Sequence, residues 1–306
     1  MKILFVCSVN KGWIVPFIAE QADALRAIGH DVDFYCVEGK GVKGYLKNIS
    51  PLKKKIKEFC PDIIHAHYGL CGFIANLQRK VSVVTTYPGS DINDVKVRFF
   101  SILSIKLSKY NLFMGTRQMN KVKLFIGKNS AILRYGIMAD NFIPLDKYVA
   151  RDKLGISHAD IIVIFAGKFS NKVKNATLAR QAVSLLNGVK LMELTGGYTK
   201  EEMCYLMNSA DTALMTSFSE GSPQFIKEVM ACGCPIVSVD VGDVAEVISG
   251  VDGCYISERE PQKIAEALTQ AFSFEGKTNG RDRIIELNLT NELVAKRLVE
   301  IYGGMR

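Results

Sequence analysis

The run Ser219-Glu220-Gly221-Ser222-Pro223-Gln224-Phe225-Ile226-Lys227-Glu228, continued by Val229-Met230-Ala231-Cys232-Gly233-Cys234-Pro235-Ile236-Val237-Ser238, sets two glutamates with seven residues between them. Glu220 lies in a tight Gly-Ser-Pro turn, and Glu228 lies inside the helix that this turn opens. The apolar run Pro235-Ile236-Val237-Ser238-Val239 follows as a buried strand. Upstream, Ala210-Asp211-Thr212-Ala213-Leu214-Met215-Thr216-Ser217 reads as another short buried strand that ends in hydroxyl residues. Downstream, Asp240-Val241-Gly242-Asp243-Val244-Ala245-Glu246 is a further turn into a helix. A carboxylate at the mouth of a helix, beside free backbone N–H groups, suits the hydroxyls of a sugar and an attached phosphate.

The alternation of strand and helix extends along the whole chain, which argues for parallel sheets with crossover helices. Strands are expected at 3–6, 32–36, 63–67, 81–85 and 112–115, then at 161–166, 191–194, 212–215, 235–239 and 254–256. The join falls near Asn141-Phe142-Ile143-Pro144-Leu145. The expected architecture is α/β: two Rossmann-like, doubly wound parallel-sheet domains, 1–145 and 146–288, facing an interdomain cleft. An amphipathic helix closes the chain within 289–306. In such sheets ligands bind at the carboxyl ends of the strands.

With 306 residues, 48% hydrophobic and 23% charged, the composition is that of a globular protein of two domains. No apolar run reaches the length that spans a bilayer, and the N-terminus lacks the apolar core and cleavage site of a signal peptide. A cytoplasmic location is expected. The eight cysteines are scattered; Cys232 and Cys234 form a C-x-C with no second pair, so packed thiols rather than a metal site are expected.

Charge is uneven. Residues 1–145 hold 21 Lys and Arg against 10 Asp and Glu, leaving 18 against 21 of the totals 39 and 31 for the rest. The excess clusters at Lys47, Lys53, Lys54, Lys55 and Lys57, and again at Lys96, Arg98, Lys106 and Lys109. No nucleic-acid module accompanies it, so anionic lipid headgroups or a lipid-phosphate-linked acceptor are the expected partners and nucleic acid is not. The segment 97–107 has the bulk and basic flanks of an interfacial helix, although a helix that covers a parallel sheet has the same pattern and is the commoner case.

Strand, Glu-Gly-Ser-Pro turn, helix, Gly, Pro-Ile-Val strand and Val-Gly-Asp turn, in this order, resemble the E-x7-E signature of family 4 retaining glycosyltransferases of the GT-B fold, of the type that builds bacterial surface polysaccharides. The resemblance implies that Glu220 contacts the transferred sugar, that the Gly221 and Ser222 amides support sugar and phosphate, and that Glu228 holds the ribose. Pairing with Lys227, itself expected to point outward, is the plainer role for Glu228.

Departure of a nucleoside diphosphate builds negative charge, which fixed cations or N–H dipoles must meet. Gly167-Lys168 at a strand end and Lys174-Asn175 at the next helix match the family's basic positions, with Lys172 as an alternative to Lys174. Metal motifs are absent, and no cofactor is expected beyond a UDP- or GDP-linked donor, its base read near Thr195-Gly196-Gly197. In the first domain, Ser8-Val9-Asn10-Lys11-Gly12-Trp13 keeps one glycine where the family approaches donor phosphates, and Lys11 could add charge. His65-Ala66-His67-Tyr68-Gly69 resembles a family segment in which His67 is the better contact and His65 is packed.

One departure is Thr86-Tyr87-Pro88-Gly89-Ser90-Asp91, where Pro88 replaces an expected histidine and cannot donate a hydrogen bond. Asp91 is a candidate for an acceptor hydroxyl, with helix capping as the alternative. The implied reaction is transfer of a sugar, with retention, from a nucleotide sugar to a saccharide or lipid-linked acceptor at the inner face of the plasma membrane. A catalytically weakened nucleotide-sugar-binding homologue and a nucleotide-sugar epimerase are the rival readings.

Overall fold

The computed structural model describes residues 1–9 and 12–305. The chain divides into two compact units, Met1–Gly136 with the terminal helix Asn291–Gly303, and Ile137–Thr290. The division therefore falls at Gly136, ahead of the polar-to-proline passage at 141–145, and the terminal helix begins at Asn291.

The first unit carries β1 (Lys2–Ser8), β2 (Asp31–Val37), β3 (Ile63–His67), β4 (Val83–Tyr87), β5 (Tyr110–Phe113) and β6 (Ser130–Ile132). They form one six-stranded sheet in the order β2-β1-β3-β4-β5-β6, parallel at every pairing. Alternation along β1 explains its unbroken apolar run. Ile3, Phe5 and Cys7 meet Leu25, Val294 and Leu298 on one face, while Leu4 and Val6 meet Leu52, Leu70 and Ile74 on the other. The helix Asn291–Gly303 is thus part of the first unit's core although it comes last in the chain.

Several strands sit differently from expectation: β5 starts at Tyr110 rather than 112, and the second-unit strand expected at 191–194 spans Val189–Glu193. β4 starts at Val83 rather than 81, because the Gln78 side-chain Oε1 accepts the N–H groups of Lys80 and Val81 and holds them in a turn. β6 was not expected: three half-exposed residues leave no periodic signal.

The helix Val95–Leu107 buries Ser101, Ser104 and Ile105, and Gly69 and Gly72 of the helix Gly69–Asn76 lie against those serines. Two of its bulky residues are left outside, with Val95 74% and Phe99 61% exposed. Close approach explains the glycines: a Cβ on Gly72 would lie 2.5 Å from Thr85 Oγ1. Gly72→Ala gains about 1 kcal/mol of helix propensity, yet the overlap costs more. The expected net loss is about 2 kcal/mol. Urea unfolding checks it; a raised midpoint would contradict this packing.

The second unit carries β7 (Ile161–Phe165), β8 (Val189–Glu193), β9 (Thr212–Met215), β10 (Ile236–Val239) and β11 (Cys254–Ser257), ordered β11-β10-β9-β7-β8 and all parallel. Its first strand, β7, lies between its second and third, so the order of connection reverses between β7 and β9. Loops that leave these two strands part in opposite directions and open a crevice at their carboxyl ends. The Cys232 and Cys234 thiols lie packed in the core of this unit.

Candidate active site

At that reversal the loops after β7 and β9 meet. Phe218 N–H donates to the Val173 carbonyl at 2.8 Å, and Thr216 Oγ1 donates to the Lys174 and Asn175 carbonyls, both at 3.0 Å. This lacing presents Lys174 to Glu220, with Nζ 2.7 Å from Oε1 and both side chains mostly buried, 22% and 15% exposed. Lys174 closes a 3-10 turn, Lys172–Lys174, and its stem passes over Gly167, where an added Cβ would stand 3.3 Å from Lys174 Cε. Gly167 also has φ +129°, so glycine is needed there for backbone and for space. The structure thus joins Gly167, Lys174 and Glu220, while the alternative Lys172 lies in the same turn and has no ion pair among the described residues.

The other side of the Glu220 turn rests on Gly242, at φ +60°, where a Cβ would lie 2.6 Å from the Gly221 carbonyl oxygen. Beside the pair, the Ser217 and Ser222 hydroxyls are buried with no hydrogen-bond partner among the described residues. Glu228 sits on the helix Gln224–Ala231, 3.8 Å from Lys200 Nζ. Lys227 does not point outward: it is 1% exposed, so residue type misjudged a helix covered on more than one side.

Lys168 is exposed and lines a hollow of about 460 Å³ with Phe169, Ser170, Arg180, Glu193 and Thr195. Here Glu193 accepts the Phe169 N–H at 2.6 Å, and the Arg180 guanidinium stacks 4.3 Å above the Phe169 ring. Arg180 escaped the sequence reading because nothing around it in the chain marks it; only the fold brings it to Lys168. Gly196 and Gly197 follow β8 with φ of +83° and +91° and open space at the Cβ position. A larger hollow, about 610 Å³, lies at the opposite, amino ends of β9 and β10. Its lysines are engaged, Lys147 with Asp211 at 2.9 Å and Lys277 with Asn208 at 2.7 Å, so the chemistry favours the smaller site.

In the first unit the candidates fare differently. Gly12 is exposed, has φ +89° and donates its N–H to the Val9 carbonyl, while Lys11 lies outside the described residues. Asp91 is completely buried, and its two oxygens accept the N–H groups of Gly69 at 2.8 Å and Gly89 at 3.0 Å. It ties two helix starts together and is closed to an acceptor, which corrects the expectation. Burial pushes its carboxyl up to about 6 despite those N–H donors.

His67 is 2% exposed, nearly as deep as His65 at 0%, and the two rings stack with centroids 4.3 Å apart. His65 bonds Tyr302 and Thr86 at 2.6 and 2.7 Å. His67 Nδ1 bonds Tyr135 at 2.8 Å, and its Nε2 is buried without a partner among the described residues. Burial holds His65 down at about 3; burial, then the neighbouring His65, holds His67 well below the ordinary histidine range.

Both imidazoles therefore stay neutral in the fold while the unfolded chain takes up protons below about pH 6.5. Stability falls as pH falls through that point, by up to about 1.4 kcal/mol per pH unit for each histidine. Asp91 opposes this between about pH 4 and 6, where the fold keeps a proton that the unfolded chain has lost. Urea unfolding from pH 7 to 5, with NMR of the imidazole protons, tests the sign. Titration of both rings near pH 6.5 in the folded protein would refute it.

Among the described residues, no group of three or more His, Cys, Asp or Glu side chains could hold a metal ion, and no helix is long and apolar enough to cross a membrane. Two family models match the chain: Glycosyl transferases group 1 over residues 151–273 and Glycosyl transferase 4-like over residues 9–119. TuaC of Bacillus subtilis, a glycosyltransferase provisionally assigned to teichuronic acid biosynthesis, is 23% identical over 268 residues, which are 76% of this chain and 69% of TuaC. Among solved structures, a sucrose-phosphate synthase from Thermosynechococcus elongatus superposes with a TM-score of 0.83 at 14% identity, covering 100% of this chain and 99% of the other. Anabaena HepE, solved in complex with UDP, superposes with a TM-score of 0.73 at 14% identity, covering 99% and 100%. With two parallel-sheet units and both models matched, the chain belongs to the family 4 glycosyltransferases of the GT-B fold.

Proposed function

We propose that the protein transfers a sugar, with retention and without a metal, from a UDP- or GDP-linked donor to a saccharide or lipid-linked acceptor of surface polysaccharide synthesis. The observation that carries this reading is the Lys174–Glu220 pair at the reversal point of the second sheet. Glu220 accepts sugar hydroxyls, Glu228 accepts ribose hydroxyls, and Lys174 with Lys168 meets the diphosphate as negative charge builds on it. The orphaned Ser217 and Ser222 hydroxyls supply further donors for a bound group. HepE, of the same fold, binds UDP.

A carboxylate held by a lysine at 2.7 Å is a poor nucleophile, which favours same-face displacement over a covalent glycosyl-enzyme. The acceptor oxygen bonds the anomeric carbon as its bond to the phosphate oxygen breaks. The acceptor proton passes to the departing phosphate. The basic first unit suits an acceptor, or an anionic membrane surface, that carries phosphate.

A panel of UDP- and GDP-sugars with saccharide and lipid-linked acceptors, with NMR of the product's anomeric configuration, tests the proposal. An inverted product would overturn retention, and an epimerised donor formed without acceptor would replace transfer. Gly242→Ala gives a second check. The new methyl pushes the Gly221 carbonyl and moves Glu220; a misplacement near 1 Å costs on the order of a hundredfold in turnover. Unchanged turnover, with the fold verified by circular dichroism, would show that the turn does not position the reacting sugar.

A further inference from the structure

The helix Ile49–Phe59 buries Leu52 and Ile56. Its outer side places Ser50, Lys53, Lys54 and Lys57 at spacings of three and four, which is one stripe. Facing the stripe is the turn before β4. There Gln78, 8% exposed, accepts the Lys80 and Val81 N–H groups at 2.7 and 2.9 Å and donates to the Val81 carbonyl at 2.7 Å. The turn is rigid, and Arg79 takes a left-handed φ of +63° within it. The Lys80 backbone is thereby held beside the stripe, and the two segments line a hollow of about 480 Å³.

Among the described residues, four ammonium groups line this hollow and no carboxylate does. Glu58 pairs with Lys54, at 3.8 Å and in full view of solvent; among the described residues Lys53, Lys57 and Lys80 have no ion pair. Like charges gathered in this way repel one another, and a bound anion relieves that repulsion. The hollow lies near the amino end of β4, the end opposite His67 and Asp91, so it is no part of the transfer site.

We propose that the Lys53–Lys54–Lys57–Lys80 hollow is an anion site that takes a phosphate group, carried either by a lipid headgroup or by a soluble phosphorylated ligand. It gives the anionic contact of the first unit a location, and it does not rest on the assignment of the transfer site.

The test compares the full chain, the triple variant Lys53→Gln, Lys57→Gln, Lys80→Gln, and a control with the same charge change on exposed lysines elsewhere, Lys40→Gln, Lys123→Gln, Lys128→Gln. One arm measures co-sedimentation with phosphatidylglycerol and phosphatidylcholine vesicles at low ionic strength. The other titrates glycerol 3-phosphate by NMR. All six lysines are exposed, so both variants should fold. The hollow variant is expected to lose phosphatidylglycerol binding roughly a hundredfold, with a much smaller loss in the control. It should also lose glycerol 3-phosphate binding.

Loss in both arms identifies a headgroup, and loss for glycerol 3-phosphate alone identifies a soluble ligand. Equal losses in the two triple variants would mean a diffuse field rather than a site, and no binding of either probe would also overturn the proposal. Neither triple variant touches Lys174 or Glu220, so the outcome of this test and that of the transfer assay are read independently.

Discussion

Glu220→Gln is expected to fold as the parent does and to lower sugar transfer on the order of a thousandfold. Glutamine keeps the shape of the side chain and one acceptor oxygen, so the turn between Ser219 and Pro223 should survive. It removes the charge that draws Lys174 to 2.7 Å and that, in the proposed function, accepts the sugar hydroxyls. The lysine then swings freely and the sugar loses its orientation. Turnover should fall far more than donor KM rises, because the contact matters most as the anomeric carbon gains positive charge. Steady-state kinetics with circular dichroism and thermal unfolding check this. A variant within tenfold of the parent would remove Glu220 from the reacting centre.

Lys174→Met should be nearly as damaging by a different route. Methionine retains the stem that lies over Gly167 but removes the ammonium. Glu220, 15% exposed, is left with its charge and without its cation. Leaving a partly buried carboxylate unpaired costs about 1–3 kcal/mol of stability. Transfer should fall on the order of a hundredfold or more as the departing diphosphate loses its nearest positive charge. Lys174→Arg keeps the charge and should recover part of the rate. If methionine and arginine variants behave alike, charge at this position is irrelevant to the chemistry.

Where residue pattern and burial agree, the sequence was sufficient. The runs at 161–166, 212–215 and 235–239 are apolar but for Thr212 and Ser238 and pack into one core, so they announce buried parallel strands. The Glu220 turn and the Gly167–Lys174 loop were legible for a related reason: each combines turn residues with charge at a strand's carboxyl end. What failed depends on neighbours distant in the chain. Asp91 has a surface residue's chemistry, but two helix starts at Gly69 and Gly89 close over it. Arg180 acquires meaning only through the Phe169 ring, and Lys80 only through a helix two dozen residues earlier. The serines at 101 and 104 resembled helix filler, yet they form the seam on which Gly69 and Gly72 pack.

Calorimetric titration of UDP and GDP into the parent, Lys174→Met and Glu220→Gln proteins bears most directly on the assignment of the second unit as the donor site. The account predicts one site per chain for one of the nucleotides. Lys174→Met should weaken it at least about tenfold, the equivalent of one charge-assisted contact to phosphate. Glu220→Gln should change it little, because the diphosphate alone carries no sugar. Undiminished affinity in Lys174→Met, or no binding of either nucleotide to the parent, would contradict it.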